Sequence, residues 1–223
     1  MEQWTPLSKT LWKLLTKKKK FSGSRCFNNR KGKEVKQKRI VMFGDSLTDY
    51  FPMQKLTDID AEFINSGAAG NTVPEMKARV RYDVLSFQPD IVIMQGGAND
   101  FQMSLYRGSK VVAGQLADLG EWIRRELPEV KIYIESLYPA YTKRLGNMPS
   151  WAKEKSNEEI RRINEEIRRQ CEERRIEYVD MYSRLAGEDG ELPLAYTVDG
   201  IHLTDAAYDI VSECLHELLK DIV

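Results

Sequence analysis

The chain has 223 residues, of which 42% are hydrophobic and 30% are charged, and its formal net charge is zero. This length can bury one sizeable core, and the composition is ordinary for a soluble globular protein. No apolar stretch approaches the length of a membrane span, and Cys26, Cys171 and Cys214 lack the spacing of a disulfide framework or a metal site. We therefore expect a cytoplasmic protein of one domain with an appendage, with no metal and no cofactor.

Basic residues are concentrated at the N-terminus. Residues 1–39 contain 13 Lys and Arg against 2 Glu, a net charge of +11, so the remaining 184 residues carry a net charge of −11. Apolar residues recur at helical spacing over 4–16, so residues 1–38 are predicted to be a basic arm that could include an amphipathic helix. Three interpretations of the arm stay open: a solvated segment, a peripheral membrane contact through residues 4–20, and a nucleic-acid contact. We favour the first and expect no nucleic-acid partner.

From residue 39 onward, short apolar runs alternate with segments of helical periodicity. The predicted strands are 39–43, 61–65, 90–95, 130–135 and 176–181, and the predicted helices cover about 73–87, 109–126, 157–175 and 204–220. Such alternation is typical of βαβ units, which form a parallel sheet with helices on both faces. The pattern predicts a single α/β domain over residues 39–223.

Small and polar residues follow the first three predicted strands. Ser46 comes directly after the first strand, and glycine-containing loops at 65–72 and 96–100 follow the second and third. A turn with a helix cap would account for each loop taken alone. The carboxyl ends of parallel strands meet at one sheet edge, however, where ligands bind and helix starts offer free N–H groups. Ser46 is therefore a candidate nucleophile, while Asp45 and Asp100 are interpreted as supports of their loops.

The two histidines limit the choice of a catalytic base. A serine nucleophile that needs an imidazole must use His202 or His216. The apolar pattern of the last helix places His216 on its polar face, so we interpret it as a surface residue. His202 lies in the turn before that helix, and Asp199, three residues earlier, could orient its ring. Alone, this segment could also be a capped turn with an incidental histidine.

Four stretches together resemble the GDSL/SGNH hydrolase family, namely Gly44-Asp45-Ser46-Leu47, Gly70-Asn71-Thr72, Gly97-Ala98-Asn99-Asp100 and Asp199-Gly200-Ile201-His202. The resemblance covers residues 39–220, and the blocks stand in the family's order. It implies a three-layer α/β/α sandwich around a five-stranded, mostly parallel, flavodoxin-like sheet.

The resemblance also implies a role for each matching residue. Ser46 would be the nucleophile, His202 its base and Asp199 the partner that orients His202. The backbone N–H groups of Ser46 and Gly70 and the side-chain amide of Asn99 would form the oxyanion hole. These are the residue types that ester hydrolysis through an acyl-enzyme requires.

Aromatic residues in the loops of the same edge are candidates for substrate binding. They are Tyr50, Phe51, Phe101, Tyr141 and Trp151. Aromatic rings could stack on a sugar or cover an acyl chain. Because the C-terminal part is similar to acetylhydrolase-like members of the family, we expect a serine esterase acting on a short acyl group, with acetyl on a carbohydrate or small molecule favoured.

Two other functions stay open at this point. A membrane-associated lysophospholipase or thioesterase would use the basic arm to contact anionic lipid. A non-catalytic binding module on the same fold is a weaker alternative, because the set of reactive residues is intact.

Overall fold

The computed structural model describes residues 37–102, 106–143 and 157–222. The predicted basic arm lies outside these residues except for its last two positions, so its interpretation stays a prediction. Among the described residues, no helix is both long enough and apolar enough to cross a bilayer.

Five parallel strands form one sheet at the centre of the domain. They are β1 (Lys38–Gly44), β2 (Ala61–Gly67), β3 (Ile91–Gln95), β4 (Lys131–Glu135) and β5 (Glu177–Val179). Their order is β2-β1-β3-β4-β5, and all four pairings are parallel. The strand order reverses between β1 and β3, and that switch point opens a crevice at the carboxyl edge. The predicted fold class is confirmed, and the sheet is fully rather than mostly parallel.

Helices cover both faces of the sheet. They are α1 (Ser46–Asp49), α2 (Val73–Asp83), α3 (Ala98–Gln102), α4 (Ser109–Glu126), α5 (Asn157–Arg174), α6 (Met181–Leu185) and α7 (Asp205–Leu219), with short 3-10 turns at Met53–Leu56, Leu85–Phe87 and Leu194–Tyr196. Successive strand residues point to opposite faces, so each strand contributes to two cores. Val41 and Phe43 pack with α2, α4 and α5, whereas Ile40 and Met42 pack with α1, α6 and α7. These are the three predicted layers.

The predicted boundaries lie within two residues of the observed ones, except the end of the helix that begins at Val73. The last strand ends at Val179 instead of residue 181, because the Asp180 side chain accepts a hydrogen bond from the Ser183 backbone N–H and begins α6. The predicted helix 73–87 ends at Asp83, and a separate 3-10 turn follows it. The Asp180 cap begins a new helix after the strand, whereas α2 ends because the backbone leaves helical geometry at Val84, with φ of −132° and ψ of −64°.

Candidate active site

The turn between β1 and α1 presents Ser46. Strand β1 ends at Gly44, and the Asp45 carboxylate accepts a hydrogen bond from the Leu47 N–H at 3.0 Å, which caps α1. A Cβ on Gly44 would lie 2.2 Å from Thr48 Oγ1 and 2.5 Å from the Gln95 carbonyl oxygen. The missing side chain therefore lets the turn lie tightly against β3. Ser46 begins α1 with 8% of its surface exposed.

A second turn, before α7, brings His202 to Ser46. His202 Nε2 lies 3.0 Å from Ser46 Oγ, and His202 Nδ1 lies 2.6 Å from Asp199 Oδ2. The other carboxylate oxygen of Asp199 accepts the backbone N–H groups of Ile201 and His202 at 3.0 and 2.9 Å. Gly200, with φ of +101°, permits this tight turn. Asp199 thus fixes both the backbone and the ring that follow it.

The loops after β2 and β3 meet beside Ser46. Asn99 Nδ2 donates to the Asn71 carbonyl oxygen at 2.9 Å, and the Asp100 carboxylate accepts the Val73 N–H at 2.9 Å. Gly70 has φ of +82°, and a Cβ built on it would meet nothing within 4 Å. The surrounding protein leaves space for a side chain at position 70, so crowding does not require glycine there. Glycine is favoured because the backbone has a positive φ.

Hydrogen bonds tie these loops to the Ser46 turn. The Ala68 N–H donates to the Gly44 carbonyl oxygen at 3.0 Å, and the Ala69 N–H lies 3.3 Å from Asp49 Oδ2. The interpretation of Asp45 and Asp100 as loop supports agrees with their contacts to backbone N–H groups.

The charge of Asp199 suits it to orient an imidazole. Burial opposes its ionisation, but the hydrogen bond and charge of His202, together with two backbone N–H groups, outweigh burial and lower the pKa of Asp199. An ionised Asp199 holds the proton of His202 on Nδ1 and leaves Nε2 free to accept the proton of the Ser46 hydroxyl. The arrangement can therefore generate a serine nucleophile.

Comparison with known families agrees with this geometry. The model of the GDSL-like lipase/acylhydrolase family matches residues 42–210, which hold every block described above. The chain belongs to the GDSL-like lipase/acylhydrolase family. No curated protein matches the chain. As a member of this family the protein is an ester-hydrolysing serine hydrolase, so the predicted family and enzyme class are confirmed.

Solved structures share the fold at low sequence identity. A lipase/acylhydrolase from Enterococcus faecalis is 20% identical with a TM-score of 0.70, over 83% of this chain and 96% of that one. A GDSL-like lipase from Bacteroides thetaiotaomicron is 23% identical with a TM-score of 0.69, over 83% and 89%. A catalytic mutant of an acetylxylan esterase from Geobacillus stearothermophilus is 20% identical with a TM-score of 0.63, over 81% and 93%.

Behind the Ser46 turn of this GDSL-like domain lies a buried polar layer. Glu135, at the end of β4, accepts the Tyr138 hydroxyl at 2.6 Å, and Gln95 Nε2 lies 3.5 Å from Asp45 Oδ2. Burial raises the pKa of Glu135 to about 7; the Tyr138 hydrogen bond opposes this and the charge of Asp45 adds to it. Burial, followed by the charge of Glu135, raises the pKa of the Cys214 thiol to about 11. The pKa of Glu135 thus lies near neutral pH.

Glu135→Gln is expected to change how stability depends on pH. Between the carboxyl's ordinary pKa near 4.5 and its folded pKa of about 7, the unfolded state loses its proton first, so stability falls as pH rises. Above pH 7 both states are ionised and the loss is complete, at roughly 3 kcal/mol. Glutamine carries no such charge and can still accept the Tyr138 hydroxyl. Urea unfolding from pH 5 to 8 should therefore show a larger loss of stability with rising pH in the wild type than in the variant, which keeps only the contribution of other groups such as His216.

Glu129→Gln is the matched control, because Glu129 is exposed. Its stability should follow the wild-type pH profile. Parallel profiles for the wild type and Glu135→Gln would contradict the assignment.

The aromatic residues predicted to bind substrate have different positions. Tyr50 is 37% exposed, and its ring centroid lies 5.4 Å from that of His202, which places it at the mouth of the site. Phe101 is half-buried and packs edge-on against Tyr106. Tyr141 is half-buried, and its N–H donates to the Gly200 carbonyl oxygen at 2.8 Å. Trp151 lies outside the described residues.

The prediction for Phe51 was wrong. Its side chain is 4% exposed and packs edge-on against Tyr208, with ring centroids 5.5 Å apart. The chain turns back on α7 after α1, so Phe51 belongs to the core that α7 covers. Its neighbour Tyr50 faces the opposite way, a difference that the sequence did not show.

His216 lies away from the site, as predicted. Its Nε2 lies 2.9 Å from Asp58, an exposed carboxylate, and the hydrogen bond from Asp58 raises the pKa of His216. Ser212, one turn before His216 on α7, is buried, and its hydroxyl donates to the Lys55 carbonyl oxygen.

Sequence reasoning missed Arg79. Its guanidinium lies 4.5 Å from the centre of the Phe43 ring and contacts the carbonyl oxygens of Gly44 and Ser66. The available signal was an arginine three residues after the buried Met76 and one before the buried Val80, on the face of α2 that points toward the sheet.

Proposed function

We propose that this protein is a serine esterase that hydrolyses a short-chain acyl ester, with acetyl on a carbohydrate or similar small molecule favoured. The observation that carries the proposal is the imidazole of His202, which lies 3.0 Å from Ser46 Oγ and 2.6 Å from Asp199. The base is therefore within hydrogen-bond reach of both the nucleophile and the orienting carboxylate.

The reaction follows from these positions. Ser46 Oγ attacks the ester carbonyl as its proton passes to His202 Nε2, and His202 returns that proton to the leaving alcohol. Water, deprotonated by the same imidazole, then hydrolyses the acyl-enzyme. Asp199 stabilises the imidazolium in both steps.

The negative oxygen that forms in each step needs donors. Asn99 has a second amide hydrogen besides the one donated to Asn71, and the Ser46 N–H lies at the start of α1. Gly70 supplies the third donor from the loop that Asn99 contacts. Such donors act on the transition state more than on the ester, so they raise kcat.

A small apolar cavity supports a short acyl group. Its lining includes Leu47, Ala98 and Ile201, the chain neighbours of Ser46, Asn99 and His202, with Phe101 and Tyr138 beside them. The cavity volume is about 10 Å³, which leaves room for about one water-sized group. An acetyl methyl fits this space, whereas a longer chain needs side chains to move.

The alcohol side of the ester is less closely defined. Tyr50, exposed beside His202, offers a ring on which a sugar could stack. The structural similarity to an acetylxylan esterase supports a carbohydrate ester. The membrane-associated lysophospholipase or thioesterase depends on residues 4–20, which lie outside the described residues, and it stays the alternative.

The chain-length preference tests this proposal. In a series of p-nitrophenyl esters from acetate to dodecanoate, kcat/KM should be highest for acetate and fall by about ten- to a hundredfold by octanoate, because an acyl chain that does not fit costs transition-state binding. Phe101→Ala should enlarge the cavity and reduce this preference. Tyr82→Ala, an exposed ring at 78% exposure, is the control and should leave the preference unchanged. A preference for octanoate or longer esters would contradict a short-chain esterase. Release of acetate from acetylated xylooligosaccharides tests whether the alcohol part of the substrate is a carbohydrate.

A further inference from the structure

Arg79, on α2, connects the ends of two strands to the loop after β2. Its Nη2 donates to the Gly44 carbonyl oxygen at 2.6 Å, its Nη1 to the Ser66 carbonyl oxygen at 2.7 Å, and its Nε to Asn71 Oδ1 at 2.6 Å. The Asp83 carboxylate lies 2.9 Å from Arg79 Nη1 and balances the charge of the guanidinium. All three neutral acceptors belong to segments that lead into the Ser46 turn or the Gly70 loop.

Asn71 passes this restraint on to Asn99. Its side-chain oxygen accepts from Arg79, while its main-chain carbonyl oxygen accepts from Asn99 Nδ2 at 2.9 Å. Asn71 also follows Gly70 directly in the chain. Arg79 therefore holds the side chain of Asn71. The carbonyl oxygen of Asn71 in turn holds the side-chain amide of Asn99, and Asn71 adjoins Gly70, whose backbone N–H the oxyanion hole also needs.

We propose that Arg79, acting through Asn71, is a positioning residue that sets the geometry of the oxyanion hole. This inference rests on the proposed function, because the oxyanion forms during ester hydrolysis. Arg79 acts on the reacting atoms indirectly, through Asn71. By restraining the Gly44 carbonyl and Asn71 together, it keeps the Ser46 turn and the Gly70 loop at a constant separation.

The shape of the arginine side chain explains why this residue type suits the position. A planar guanidinium directs donors along several fixed directions at once, and it stacks on an aromatic ring. Arg79 uses both properties, because three nitrogens bind different segments while the plane lies over Phe43. A lysine would keep the charge but could not reach these acceptors in the same geometry.

The test compares Arg79→Met, Arg79→Lys and Asn71→Ala with Arg81→Met as control. Arg81 is on the same helix, and its guanidinium lies over Trp122 instead. With p-nitrophenyl acetate, the first three variants should lower kcat about ten- to a hundredfold with KM within about twofold, because misplaced oxyanion donors weaken the transition state more than the bound ester. Their phosphonylation at Ser46 by a reactive fluorophosphonate should slow similarly. Arg81→Met should match the wild type in both assays.

The double variant Arg79→Met/Asn71→Ala separates a shared effect from two independent ones. If Arg79 acts through Asn71, the kcat of the double variant should be no lower than the kcat of the less active single variant. A loss of kcat in the double variant equal to the product of the two single losses would contradict that route. A wild-type kcat and phosphonylation rate in folded Arg79→Lys or Asn71→Ala would overturn the inference. Titration of active sites and thermal unfolding distinguish slower turnover from loss of folded protein. If the wild type hydrolyses no ester but is phosphonylated faster than the variants, the proposed function fails while the inference stands.

Discussion

Ser46→Ala is expected to lower kcat by about six orders of magnitude, because the groups of such a triad act as a unit and the variant has no nucleophile. The distance of 3.0 Å between Ser46 Oγ and His202 Nε2 allows proton transfer as the Ser46 oxygen attacks. Any residual hydrolysis would come from water activated at the same site. The fold should survive, because the removed hydroxyl lies at the edge of the sheet and alanine is well accommodated in the first turn of a helix.

Steady-state hydrolysis of p-nitrophenyl acetate measures this loss. Ser86→Ala is the matched control, because Ser86 is exposed and its hydroxyl donates to the carbonyl oxygen of Tyr82 on the same surface. The control should retain wild-type kcat. The double variant Ser46→Ala/His202→Ala should be no slower than Ser46→Ala alone. Activity that survives in folded Ser46→Ala would remove Ser46 from the mechanism.

Asp199→Asn should lower kcat by about four orders of magnitude, the loss that this change causes in a comparable Ser-His-Asp enzyme. The asparagine oxygen can still accept the N–H groups of Ile201 and His202, so the turn should keep its shape. Its amide nitrogen would then face His202 Nδ1, where it can only donate. The imidazole proton would move to Nε2, which could no longer accept the proton of Ser46.

The pH profile and a matched variant make this second prediction specific. Because the pKa of Asp199 is lowered, protonation of Asp199 should not limit wild-type activity at neutral or mildly acidic pH, whereas Asp199→Asn should be slow across the whole range. Asp118→Asn, at an exposed carboxylate that pairs with Arg174, should show wild-type kcat. A loss in Asp199→Asn below tenfold, with an intact thermal transition, would show that Asp199 does not set the tautomer of His202.

The sequence predicted the main elements of the sheet because each core strand is a short apolar run. Val41 and Ile40 face opposite layers, so β1 is apolar at successive positions and is recognisable without a partner. The end of β5 was less predictable. There Asp180 caps a helix of five residues, and such a short element has too few positions for periodicity to show.

The candidate site was predictable where residue type alone limits the chemistry. The chain has two histidines and one lies on the polar face of α7, so residue type and position alone favour His202 as the base. Asn99 and Gly70 were assigned through resemblance to the GDSL/SGNH family, since glycine loops are common. The structure adds the hydrogen bonds that bring their loops to Ser46.

Long-range contacts explain what the sequence did not reveal. Phe51 was placed in the pocket because it follows the reactive turn, but its surroundings depend on Tyr208, more than 150 positions later in the chain. Arg79 looked like one more charge on α2. Its role depends on three acceptors in separate segments, and no local pattern encodes their convergence.

Mass spectrometry after reaction with a fluorophosphonate tests the central claim most directly. The claim is that Ser46, activated by His202 and Asp199, forms the covalent intermediate. We predict one adduct per chain, located by peptide mapping on Ser46, with ester hydrolysis lost in proportion to labelling and labelling strongly slowed in His202→Ala. An adduct on another residue that accounts for the lost activity, or full inhibition with Ser46 unmodified, would contradict it.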